Sequence, residues 1–101
     1  MYNRITAAEA YEKMKSNPDV KVIDVRTAEE FATGKIPGAL LLPDFLLREQ
    51  ADKILPDKNA EILVYCRSGA RSRDAVYELG SMGYTNVSDF GGINAWPYER
   101  D

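Results

Sequence analysis

The segment Glu61 to Tyr65 (EILVY) is almost wholly apolar and runs straight into a small-residue, arginine-rich stretch, Cys66 to Ser72 (CRSGARS). A strand that is apolar on both faces must be covered on both, which is the condition of a central strand in a parallel sheet. Parallel neighbours need crossover connections, usually helices, so this one run implies strands and helices that alternate along the chain.

That alternation is present throughout. Tyr2 to Ile5 reads as a short first strand. Thr6, with Glu9 three residues on, is a capping box that opens a helix. Ala7, Tyr11 and Met14 share one face of that helix, and Asn17-Pro18 ends it. Val20 to Val25 is the next strand, and Thr27 with Glu30 repeats the capping box over a short helix reaching Gly34. Gly34 to Gly38 is a turn, and Ala39 to Leu42 a short strand. Asp44 is expected to cap a helix carrying Leu47, Ala51 and Ile54, closed by Pro56. After CRSGARS a helix places Ala75, Val76, Leu79 and Met82 at core spacing and stops near Gly83. Asn86 to Phe90 is the last strand, and Gly91-Gly92 introduces a terminal helical turn bearing Trp96. The expectation is an α/β domain of three layers, α/β/α, around a parallel sheet of about five strands.

Length and composition bound the rest. The 101 residues are read as one domain, 1–101, with roughly 65 % of the unfolded surface open to burial. Apolar residues make up 45 % and charged residues 29 %, the balance of a folded globule. Thirteen basic against sixteen acidic residues leave a net charge of −3, so no nucleic acid or anionic membrane partner is expected. No histidine is present, which excludes a Ser-His-Asp triad, a Cys-His pair and a histidine metal site. The single cysteine, Cys66, excludes an intrachain disulfide, a CxxC pair and a thiolate cluster. No metal or cofactor is expected. Folding without disulfides suits a reducing compartment, and MYNRITAAEA lacks the apolar core of a signal peptide. A cytoplasmic location is the expectation, although a leader already cleaved off would leave the same sequence.

In a sheet of this kind the site lies beyond the carboxyl ends of the strands. Two polar segments fall there, Asp24-Val25-Arg26 and CRSGARS. The second is the sharper signal. Ser68, Gly69 and Ala70 are small enough for backbone amides to turn inward as an anion-binding nest, and the following helix adds its positive end. Arg67, Arg71 and Arg73 add guanidiniums. Such a field favours the thiolate, which is the nucleophilic form of cysteine. A lone cysteine after a strand is commonly just a small buried hydrophobe, but this loop argues for chemistry at Cys66. Asp24 and Arg26 read as a structural pair that fixes the neighbouring loop. Of the adjacent carboxylates Glu29 and Glu30, one caps a helix and the other faces solvent. Tyr65 and Trp96 read as packing, and Ser68 and Ser72, with no base to activate them, as hydrogen-bonding groups.

These residues also carry a resemblance. VIDVRTAEEFATGKIPGALLLP, followed by ILVYCRSGARSRDAVYELGSMGYTNVSDFGGINAW, resembles the single-domain rhodaneses, the thiosulfate sulfurtransferase-like family, from about Ile5 to Trp96. The resemblance implies a rhodanese-like fold and an enzyme in which Cys66 carries a persulfide. It implies that the backbone amides from Arg67 to Arg71 cradle that sulfur, and that Arg67, Ser68, Gly69, Ala70, Arg71 and Ser72 bind substrate, the Arg67 and Arg71 side chains holding an anionic donor such as thiosulfate. The acceptor implied is cyanide or a thiol, either a small molecule or a partner protein served by a sulfur-relay module. Lys35, Ala70 and Leu41 depart from residues frequent in the family and bear on donor preference. Related cysteine phosphatases use Cys-x5-Arg, whereas Arg71 follows Cys66 by five positions, one residue shorter. The loop also lacks a carboxylic acid to serve as general acid, which weighs against a phosphatase. An oxyanion reductase calls for a resolving cysteine that the chain does not have.

Overall fold

Capping chemistry sets the first helices where the sequence places them. In the computed structural model, which describes residues 3–101, the Thr6 hydroxyl oxygen accepts from Glu9 N (3.0 Å) and Glu9 Oε1 accepts from Thr6 N (2.9 Å). This box opens α1, Ala7–Ser16. Thr27 and Glu30 exchange the same pair of bonds, at 3.2 Å and 3.0 Å, and open α2, Ala28–Ala32. Two longer-range helices follow, α3 (Leu47–Ile54) and α4 (Ala70–Ser81). The strands are β1 (Lys21–Asp24), β2 (Leu40–Leu41), β3 (Ile62–Cys66) and β4 (Val87–Gly92), all parallel in the order β2-β1-β3-β4.

The side-chain alternation of β3 divides the core in two. Ile62, Val64 and Cys66 face the layer of α3 and α4, with Leu47, Ala51, Val76 and Leu79. Leu63 and Tyr65 face the other layer, with Ala10 of α1, Phe90 and Trp96. All five residues of β3 are buried, as a central strand requires. Trp96 is buried against Phe90 and the stacked pair Tyr11 and Tyr98, so its role is packing. Tyr65 is likewise buried, and its hydroxyl accepts from Ile36 N at 3.1 Å.

Three expectations are corrected. The sheet has four strands rather than about five. Among the described residues the N-terminal segment makes one bridge, Arg4 with Asp89, held by Ile5 N to Asp89 O and Asp89 N to Asn3 O, both 2.9 Å. Thr6 turns the chain into α1 immediately afterwards, leaving no length for a ladder; Tyr2 lies outside the described residues. Asp44 does not cap α3, because a 3-10 turn, Asp44–Leu46, intervenes and Leu46 holds the cap position; the Asp44 N–H goes to the Val25 carbonyl (3.0 Å). Finally, β4 continues through Gly91 and Gly92, and Cys66 pairs with Gly92 after a register shift.

Candidate active site

The sheet order makes the chain leave β1 toward β2 on one side and β3 toward β4 on the other. The carboxyl ends of β1 and β3 therefore flank the switch point, where open α/β sheets hold their ligands. Asp24-Val25-Arg26 leaves β1 there, and Cys66 to Ser72 leaves β3 beside it.

Because Cys66 shares the face of β3 that α4 covers, its sulfur lies beneath the N-terminus of that helix. Gly69 N donates to Cys66 Sγ at 3.0 Å and Ser72 N at 3.4 Å. Gly69 makes the turn possible: at φ +110° it occupies a conformation that L side chains rarely adopt. Cys66 has no exposed surface. Ser72 is also fully buried, its Oγ 3.5 Å from Sγ and 2.7 Å from Asp89 Oδ1. Around this centre the amide dipoles and the helix end supply positive potential where an anion on sulfur would sit.

The arginines divide. Arg71 is held by Glu30, its two terminal nitrogens at 2.7 Å and 3.0 Å from the two carboxylate oxygens. That guanidinium, followed by the Thr27 amide, lowers the Glu30 carboxyl from its ordinary 4.5 to about 2. Arg67 is exposed, and among the described residues no carboxylate pairs with it. It lines two open clefts of about 510 Å³ and about 360 Å³ and, with Asn94, stands between them. Arg73 points out of the site, exposed beside Asp74 at 3.7 Å. Ser68 and Ala70 are exposed on the loop rim.

Asp24 and Arg26 form the expected structural pair. Arg26 Nε lies 3.0 Å from Asp24 Oδ1, its terminal nitrogen 2.8 Å from Oδ2, and the same nitrogen donates to the Gly34 carbonyl at 2.6 Å. This bolts the end of β1 to the turn after α2. No cluster that could hold a metal is present among the described residues.

Three features escaped the sequence reading. Glu30 is more than a cap, since it orders Arg71. Asp89, fully buried in β4, accepts from both the Ser72 hydroxyl and Gly91 N. Its signal was a lone carboxylate, next to Ser88, inside a strand, which burial makes costly without partners. Gly92 is a contact position: a Cβ there would meet the Arg67 carbonyl and lie 2.7 Å from Ser68 Cα.

Comparisons with known proteins agree with this geometry. The family model of the rhodanese-like domain matches residues 6–99. A sulfurtransferase of Allochromatium vinosum is 39 % identical over 97 residues, spanning 95 % of this chain and 89 % of the relative. The thiosulfate sulfurtransferase PspE of Escherichia coli is 38 % identical over 71 residues, 70 % of this chain and 68 % of its own. A rhodanese-related protein of Thermoplasma volcanium superposes with a TM-score of 0.85 at 35 % identity, covering 99 % of this chain and 98 % of that one. With the match spanning nearly the whole chain, the protein belongs to the rhodanese-like domain family and is an enzyme of the sulfurtransferase kind.

Proposed function

We propose that this chain moves a sulfane sulfur from a small anionic donor such as thiosulfate, through a persulfide on Cys66, to a thiophilic acceptor such as cyanide or a thiol. The observation that carries the reading is the pair of backbone amides, Gly69 N and Ser72 N, aimed at Cys66 Sγ under the N-terminus of α4. Donors fixed in place before reaction stabilise charge without reorganising.

The Cys66 thiolate attacks the outer sulfur of thiosulfate. A bond forms between Sγ and that sulfur, the S–S bond of the donor breaks, and sulfite leaves with the electron pair. The transferable sulfur then sits one S–S bond, about 2.05 Å, beyond the buried Sγ and carries the negative charge. The acceptor attacks this sulfur and the bonding pair returns to Sγ. Neither half-reaction moves a proton, so a chain without histidine suffices. Arg67, unpaired with any described carboxylate, draws the donor anion to the mouth, while Arg71 is engaged in shaping the loop.

The names of the relatives support thiosulfate as donor, and PspE is itself called a thiosulfate sulfurtransferase. The short Cys-x4-Arg loop supports a single sulfur rather than a phosphate as its guest. Intact-protein mass spectrometry after incubation with thiosulfate tests the reading. Wild type should gain one sulfur atom that cyanide removes, and Cys66→Ser should gain none. A Cys66→Ser protein that still turns over thiosulfate would overturn it.

A further inference from the structure

Ser72 Oγ lies 3.5 Å from Cys66 Sγ, and its hydroxyl has one proton to give. Besides the sulfur, that proton has three acceptors within reach: Asp89 Oδ1 at 2.7 Å, the Gly69 carbonyl at 3.1 Å and the Gly91 carbonyl at 3.3 Å. The carboxylate is the nearest, and 2.7 Å is the full-strength distance for a hydroxyl on a charged oxygen, whereas the sulfur lies at 3.5 Å. Asp89 is fully buried, and Gly91 N fixes the same Oδ1 from a second side at 2.8 Å. The Ser72 proton therefore points away from the sulfur, and a lone pair of its oxygen faces Sγ.

We infer that Asp89 is a positioning residue that acts through Ser72 to bias the enzyme toward its sulfur-loaded state. The inference rests on the reading of Cys66 as sulfur carrier. Before loading, the negative charge of the thiolate is on Sγ, directly opposite the Ser72 lone pair. Loading forms the bond from Sγ to the transferred sulfur, breaks the S–S bond of thiosulfate and releases sulfite with its electron pair. Sγ becomes a neutral divalent sulfur, and the charge moves to the outer sulfur. A lone pair opposes an anion and tolerates a neutral sulfur, so holding the Ser72 proton on Asp89 disfavours the empty thiolate relative to the persulfide. Discharge returns the bonding pair to Sγ and meets the same opposition. The two amides on Sγ act in the contrary sense, and the balance between them and Ser72 sets the resting occupancy.

The experiment is intact-protein mass spectrometry of persulfide occupancy at a fixed ratio of thiosulfate to sulfite, for wild type, D89N, S72A and the double variant. Asparagine keeps an oxygen for Gly91 N but holds the Ser72 proton less firmly, leaving it for the thiolate. D89N should lower the ratio of loaded to free enzyme about tenfold, the size expected when one hydrogen bond to a charged group is redirected. Its discharge to cyanide should quicken in proportion. In the S72A background the same change at Asp89 should have no effect, since the hydroxyl that transmits it is gone. Equal occupancy in wild type and D89N would overturn the inference, and so would an equal fall in both backgrounds, the mark of mere packing. Wild type that takes up no sulfur would overturn the reading of Cys66 and this inference with it. If D89N does not fold, wild type still decides: the carboxyl carbon resonance of Asp89 should shift when the Ser72 hydroxyl is deuterated, and no shift would overturn the bond direction.

Discussion

Arg71 gives both terminal guanidinium nitrogens to Glu30, at 2.7 Å and 3.0 Å, tying the first turn of α4 to the first turn of α2. Glu30 Oε1 also accepts the Thr27 amide, so one carboxylate serves a helix cap and an interhelical ion pair. Its value of about 2, against an ordinary 4.5, gives the sign of the pH effect. A carboxyl depressed in the folded state contributes stability in full above the unfolded value, and that contribution is lost as pH falls from 4.5 toward 2. Glu30→Gln should flatten the slope of stability with pH in this window, measured by urea denaturation. Near neutrality the same variant should lose only about 0.5–1 kcal/mol, because solvent screens a part-exposed pair. An unchanged acid slope would show that the pair contributes nothing to folding.

Asp24 and Arg26 make the opposite case, with side chains only 0 % and 5 % exposed. Removing one member of a buried pair leaves an uncompensated charge, which costs about 3–5 kcal/mol. Asp24→Asn should show a loss of that order by chemical denaturation, and Asp24→Leu combined with Arg26→Met should recover part of it. A loss below about 1 kcal/mol in Asp24→Asn would mean that water reaches Arg26 and the pair is not holding the loop.

The frame of the fold is legible wherever chemistry is local. Thr6 with Glu9 and Thr27 with Glu30 are spaced so that each cap can form from neighbours alone, and EILVY can be stable only in the sheet interior. The sequence suggests a fifth strand at Tyr2 to Ile5, but the cap at Thr6 starts a helix directly after the Arg4–Asp89 bridge and cuts the ladder short. Cys66 and its loop are legible because small residues, arginines and a strand end coincide within seven positions. What the sequence hides is long-range pairing. Glu30 meets Arg71 across 41 positions and Ser72 meets Asp89 across 17, and no spacing rule connects such residues before the sheet order is known.

Gly92 is where β4 comes closest to the loop after Cys66. A Cβ at this position would land on the Arg67 carbonyl and lie 2.7 Å from Ser68 Cα, and backbone atoms cannot swing aside as a flexible side chain can. Gly92→Ala should cost about 1–3 kcal/mol of stability, the usual range for overpacking. Activity should fall further than stability predicts, because the displaced residues directly precede Gly69, whose amide donates to Cys66 Sγ. Thermal denaturation beside a thiosulfate-cyanide assay checks both. Wild-type kinetics in a folded Gly92→Ala protein would show that the loop tolerates displacement.

Arg67 on the loop and Arg71 in the first turn of α4 stand four positions apart, yet among the described residues only Arg71 is engaged by a carboxylate. If Arg67 recruits the donor, its guanidinium acts on binding rather than on the bond-breaking step. Arg67→Ala should then raise the KM for thiosulfate about tenfold, with kcat little changed, as expected for losing a hydrogen bond to a charged group. Arg71→Ala should behave differently. It leaves Glu30 without its ion partner and frees the first turn of α4, so kcat and stability should fall together, with a smaller change in KM. Steady-state kinetics over a range of thiosulfate concentrations, with denaturation curves for both variants, separates the roles. The reverse pattern, a KM effect at Arg71 and none at Arg67, would move the donor site to the Glu30 side of the loop.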